Sequence, residues 1–198
     1  MYGIIGFFGL PGKGKTMALV NQLENYRKKY GDKIYITTNF NYKNEDFSFK
    51  SWKMLLKPYD KPIVVAWDEV QNEFNSRDFK TFPVTLLTLL TQNRKGNGIQ
   101  ILYTAQRYNR VDKVFRELSH WAVECSTLWG RLTRLKWYHW MDYEQLNQAV
   151  GVDLKMSIKP IKRESFIQTD TLRDLYDSYK MLESAKSKEY NEFVISYE

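Results

Sequence analysis

At 198 residues with 43% hydrophobic content, the chain is long enough to bury a core and fits one domain of ordinary size. Its 30 Lys and Arg against 23 Asp and Glu leave a formal charge of +7, which favours a polyanionic partner. A single cysteine, Cys125, excludes an internal disulfide and a Cys-rich zinc site, so a reducing cytoplasm is expected, and no apolar run approaches the roughly 20 residues of a membrane helix.

The opening "MYGIIGFFG" has no basic leader and no small-residue cleavage site, so it reads as a strand at residues 4–8 and not as a signal peptide. It runs into "GLPGKGKT" at residues 9–16, after which helix-forming composition continues to Gly31. "KIYITTNF" (33–40), "PIVVAW" (62–67) and "IQILYTA" (99–105) repeat the signature of strands buried on both faces. "PVTLLTLLTQNRK" opens on Pro83, a favoured first-turn residue, and spaces Leu86, Leu87, Leu90 and Asn93 as a helix does before Gly96 and Gly98 stop it. "VDKVFREL" (111–118) is a further short helix and "HWAVECS" a fifth strand. This alternation predicts an α/β fold with a mostly parallel sheet flanked by helices. After about Leu128 the texture changes: "RLTRLKWYHWMDY" alternates basic with apolar and aromatic residues, as an edge strand or hairpin would, and the last thirty or so residues read as helical, polar and partly mobile. The expected organisation is a core over residues 1–127 and a β-rich and helical extension of the same domain over 128–198.

In "GLPGKGKT", Gly9, Gly14, Lys15 and Thr16 satisfy G-x-x-x-x-G-K-[ST], the Walker A phosphate loop, in the strand-to-helix context that motif requires. The loop residues Gly9, Leu10, Pro11, Gly12, Lys13 and Gly14 would turn backbone N–H groups onto the phosphates of ATP, helped by the positive end of the helix dipole. Lys15 would contact the β- and γ-phosphates, and Thr16 would offer its hydroxyl to Mg²⁺. "IVVAWDE" supplies the Walker B half: Asp68 would hold the magnesium and Glu69 would polarise the attacking water, as a hydrolase needs. Gln106, just past the strand at 99–105, would point between loop and acid as a sensor of the γ-phosphate, or is a solvated strand end. Arg94 would be an arginine finger reaching a neighbouring subunit, or a cation drawn to a helix C-terminus by its dipole.

The set "GLPGKGKT", "ITTNF", "VVAWDEVQNEF" and "QNRKGNGIQILYTAQ" resembles the zonula-occludens-toxin-type P-loop ATPases, which include assembly ATPases of filamentous phages. These belong with the HerA and FtsK-like motors that also provide viral DNA-packaging ATPases. The resemblance spans roughly residues 3 to 125 and adds Asn39, Gln71 and Phe74 to the pattern. It implies a P-loop NTPase fold, Lys15 and Thr16 as nucleotide ligands, Asp68 and Glu69 as metal-binding and catalytic acids, Gln106 as sensor and Arg94 as the arginine acting in trans. Filamentous-phage members continue into a membrane helix and a periplasmic tail that this chain does not show, and Lys95 stands where the family often has His.

The function expected is therefore an ATP-hydrolysing, Mg²⁺-dependent motor, forming a homo-oligomeric ring in the host cytoplasm and moving DNA during virion assembly. The first alternative is an assembly or extrusion ATPase acting at a membrane pore; a P-loop kinase or switch that binds no DNA, and a non-catalytic scaffold, are more remote. "RLTRLKWYHW" would meet nucleic acid with Arg131, Arg134 and Lys136 on phosphates and Trp137, Tyr138 and Trp140 on bases, or is an amphipathic strand. Arg107, Arg110 and Lys113 would suit a pore loop or a solvated helix face. Cys125 reads as a small buried hydrophobe, and His120 and His139 have no partners that suggest a metal or catalytic pair.

Overall fold

The structure, a computed structural model, describes residues 2–74, 83–93, 98–148 and 157–176. Its main elements are β1 (Gly3–Phe8), α1 (Lys15–Tyr30), β2 (Tyr35–Thr38), β3 (Phe47–Ser48), β4 (Ile63–Trp67), α2 (Val84–Gln92), β5 (Ile99–Ala105), α3 (Lys113–Glu117), β6 (Trp121–Leu128), β7 (Leu132–His139), α4 (Trp140–Gln148), β8 (Lys162–Ile167) and α5 (Asp170–Arg173). The described strands form one sheet in the order β3-β2-β4-β5-β1-β6-β7-β8. The first six are parallel, and β7 and β8 each run antiparallel to the strand before them.

The apolar runs are buried on both sides because helices cover both faces. All six residues of β1 are buried. Ile4 and Phe8 face Leu86 and Leu90 of α2, Phe115 of α3 and Tyr143 of α4. Ile5 and Phe7 face Ala18, Leu19 and Leu23 of α1. Leu19 and Leu23 have no exposed surface, so truncating either to Ala removes about 2–5 kcal/mol. No helix among the described residues is long and apolar enough to cross a membrane.

Of the edge strand or hairpin expected from Arg131 onward, the hairpin is what forms. The run is the second arm of this β6–β7 hairpin, with Leu128 opposite Leu132, and lies inside the sheet because β8 pairs along its far side. The true edge is β8, whose residues are almost all exposed and include Lys162, Arg163 and Glu164, charges that discourage a further strand from adding. The rings of β7 are consequently taken up by the core. Trp137 packs edge-to-face on Phe7 at 6.1 Å, and Tyr138 is 3% exposed. Lys136 pairs with Glu124 at 3.0 Å. Of the two readings of this segment, the amphipathic strand is the one observed. The tail beyond Tyr176 lies outside the described residues.

Candidate nucleotide site

Strand order builds the site, because parallel strands bring their C-terminal ends to one edge of the sheet. β1 ends at Phe8 and turns into the loop that opens α1, while β4 ends one residue before Asp68, with β5 between them. Gly14 is the residue before α1, at φ 78° in the left-handed region that a side chain resists. Gly14 at the N-cap supplies no side-chain cap to α1, so the first-turn N–H groups are suited to an anion. Lys15 is 7% exposed, and its Nζ donates to the loop carbonyl of Leu10 at 3.4 Å. No carboxylate among the described residues pairs with it, which leaves a buried cation suited to phosphate.

Thr16 and Asp68 meet across the fold, the Thr16 hydroxyl lying 3.2 Å from each carboxylate oxygen. Asp68 is clamped from three directions. The Asn39 side chain donates to its carbonyl at 3.0 Å and accepts from its N–H at 2.7 Å. Thr104 Oγ1 donates to Asp68 Oδ1 at 2.5 Å and accepts from the Glu69 N–H at 2.8 Å. Burial pushes the Asp68 carboxyl up from its ordinary range; the Thr104 and Thr16 hydroxyls and the Lys15 ammonium oppose that rise, and the neighbouring Glu69 adds to it. A hydroxyl and a carboxylate converging in this way fit a hard divalent cation that draws its other ligands from phosphate and water. No group of three His, Cys, Asp or Glu among the described residues builds a metal cage.

Glu69 sits at φ 54°, ψ 51°, a left-handed conformation uncommon for a residue with a side chain. Its carboxylate accepts from the side-chain amide of Gln71. Gln71 is 7% exposed, and its Oε1 is buried with no hydrogen-bond partner among the described residues. The β5 end of the site is built by Thr104, with Gln106 beside the loop. Thr104, the buried penultimate residue of β5 opposite Phe7, stands beside Asp68. Gln106 lines a cavity of about 500 Å³ with Gly9, Leu10, Lys13, Arg107 and Arg110. Arg94 lies outside the described residues.

Sequence reasoning missed Thr104 altogether, although a threonine near the end of the apolar run "ILYTA" is a buried polar group that needs a partner. It also missed the wall behind Gly14. A Cβ built there would fall 2.5 Å from Thr127 Oγ1, 2.8 Å from Thr133 Oγ1 and 3.1 Å from Gln168 Nε2. These three are bonded to one another, Gln168 donating to Thr133 at 2.8 Å and the two hydroxyls lying 3.1 Å apart. Nothing local in the sequence marks Gln168.

No family model matches the sequence, and no curated protein matches it. Solved structures do match. The N-terminal domain of zonular occludens toxin from Neisseria meningitidis superposes with a TM-score of 0.59 at 20% identity, over 89% of this chain and 100% of that one. The genome packaging NTPase from Sulfolobus turreted icosahedral virus 2 bound to ATP-γS gives 0.48 at 14% identity, over 64% of this chain and 76% of that one. The DNA-packaging ATPase from Sulfolobus turreted icosahedral virus gives 0.46 at 16%, over 64% and 76%. The first of these is a likeness of fold; the other two overlap too loosely to argue from. The chain thus has an α/β P-loop NTPase fold shared with the zonular occludens toxin domain, as the resemblance in the motifs implied.

Proposed function

We propose that this chain is a Mg²⁺-dependent ATPase that moves DNA during virion assembly, a genome-packaging motor working as a homo-oligomeric ring in the host cytoplasm. The observation that carries the hydrolytic part is the Thr16–Asp68–Thr104–Glu69 constellation at the mouth of the phosphate loop. The N–H groups of residues 9–14 and the Lys15 ammonium hold the triphosphate. Thr16 and Asp68 would hold magnesium, which supplies charge neutralisation on the β- and γ-phosphates when bound. Glu69 takes a proton from the attacking water, and Gln71 fixes the direction its carboxylate faces. Arg94 from a neighbouring copy neutralises charge developing on the transferred phosphoryl, and Gln106 reads the state of the loop from its cavity. The charge of +7 supports DNA as the cargo, with a viral capsid as the structure the ring serves.

The test is ATP hydrolysis by the wild type and by Glu69→Gln, each with and without DNA. Wild type stimulated by DNA and a Glu69→Gln protein that binds ATP without turnover is the expected pair of results; equal turnover by Glu69→Gln rules the mechanism out. A second reading, an assembly ATPase at a membrane pore, is favoured by the likeness to the zonular occludens toxin domain. It expects no stimulation by DNA and recovery of the chain with membranes carrying a partner.

A further inference from the structure

The tip of the β6–β7 hairpin carries a tryptophan that the fold does not use. Trp129 is 87% exposed and makes no ring contact among the described residues, although burying an indole is favourable. Its backbone has φ 49°, followed by Gly130 at φ 68°, and the Arg131 N–H closes the turn on the Leu128 carbonyl at 3.1 Å. Positive φ at both central residues selects Asn-Gly or Asp-Gly, and for a bulky ring it is strained. The turn is nonetheless held in place: Arg173 donates to the Gly130 carbonyl at 3.2 Å, and Arg131 pairs with Asp170 at 2.8 Å.

The location of that tip follows from strand register. β6 is parallel to β1, with Glu124 opposite Phe8, so the hairpin projects from the edge of the sheet that carries the phosphate loop. Thr127, two residues before Trp129, lies against Gly14. Gly14 thus abuts the β6–β7 side, whereas Thr16 abuts Asp68 on the β4 side. A triphosphate whose γ end faces Asp68 and Glu69 must release its nucleoside on the opposite flank. Trp129 stands there, two residues beyond Thr127 in the turn whose Gly130 carbonyl Arg173 holds.

We infer that the indole of Trp129 is the stacking platform for the base of the nucleotide bound at the loop. The inference rests on the nucleotide-binding role proposed for that loop. It gives the strained, solvent-facing tryptophan a partner of the right chemistry, a flat π system brought to it by the phosphates.

The variant that tests it is Trp129→Asn, because asparagine suits the turn better than tryptophan and removes only the ring. ATP and inorganic tripolyphosphate are titrated by calorimetry onto the wild type, Trp129→Asn, Trp129→Phe and Lys15→Ala. Stacking predicts that Trp129→Asn weakens ATP about ten-fold or more, leaves tripolyphosphate unchanged and keeps or raises Tm, while Trp129→Phe restores most of the ATP affinity. Unchanged ATP affinity in Trp129→Asn overturns the platform, as does an equal loss for ATP and tripolyphosphate. Loss of DNA binding at unchanged ATP affinity overturns it in favour of a DNA contact. Undiminished ATP binding by Lys15→Ala instead removes the nucleotide reading beneath it, so the two failures are distinct.

Discussion

The hydroxyl of Thr104 stands between the two acids of the site, donating to Asp68 Oδ1 at 2.5 Å and accepting from the backbone N–H of Glu69 at 2.8 Å. One fully buried side chain thereby fixes the carboxylate on one acid and the left-handed backbone of the next. Thr104→Val keeps the shape but leaves the Glu69 N–H without its partner and the Asp68 carboxylate with the Thr16 hydroxyl as its remaining side-chain donor, which costs about 1–3 kcal/mol. Urea titration should show that loss, and ATP turnover should fall with it. Thr104→Ser, which keeps the hydroxyl, should recover both. Unchanged stability in Thr104→Val would count against the geometry.

Gln71 offers the opposite balance. Its amide nitrogen holds Glu69, but its oxygen is buried without a partner among the described residues, so the side chain is retained at a cost. Gln71→Met should leave stability unchanged or higher, leave the KM for ATP near wild type, and lower kcat on the order of 10- to 100-fold as Glu69 loses its direction. A variant that turns over ATP normally would show that Glu69 needs no such support.

Behind the loop, Gly14 has no room for a side chain. Gly14→Ala places a methyl within 2.5 Å of Thr127 Oγ1 at a φ of 78°, and should destabilise the protein by about 1 kcal/mol or more while abolishing ATP binding. The wall it would strike comes from β6, β7 and the residue after β8. Gln168→Ala should therefore weaken ATP binding although Gln168 belongs to no nucleotide motif. Nucleotide titration on the two variants checks this, and wild-type affinity in both would detach the hairpin from the loop.

Cys125 gives a reporter for the same region. Burial pushes its thiol up to about 12, so at pH 8 almost none is thiolate and the group is 3% exposed. Native protein should resist a thiol reagent at that pH and react only on unfolding. ATP should slow the reaction further, because Cys125 lies on β6, whose carbonyl at that residue would be 2.8 Å from a Cβ on Gly9. Rapid labelling of folded protein would mean that the β1–β6 edge opens without global unfolding.

Much of this molecule is written locally. A loop that must bring backbone to phosphate requires glycine where φ is positive, a lysine and a hydroxyl at fixed steps after it, and a strand and helix on either side, so residues 9–16 announce themselves. Strands buried on both faces must be apolar throughout, which made β1, β4 and β5 legible from composition. The short β3 and the charged β8 carry no such pattern, and both were unreadable as strands. β7 was legible as a strand but not as an interior one, because what makes it interior is a partner thirty residues further on.

By itself, then, the sequence determined the phosphate loop, the acids that follow β4 and the alternation that sets them on a parallel sheet, since each depends on chemistry within a few residues. Only the tertiary structure decided that Thr104 stands beside Asp68, that Gln168 backs Gly14, and that Trp129 is exposed at the tip of the hairpin. Those are matters of strand order and register. They bring together groups up to 154 positions apart in the numbering, Gly14 and Gln168, through backbone hydrogen bonds that are indifferent to side-chain identity.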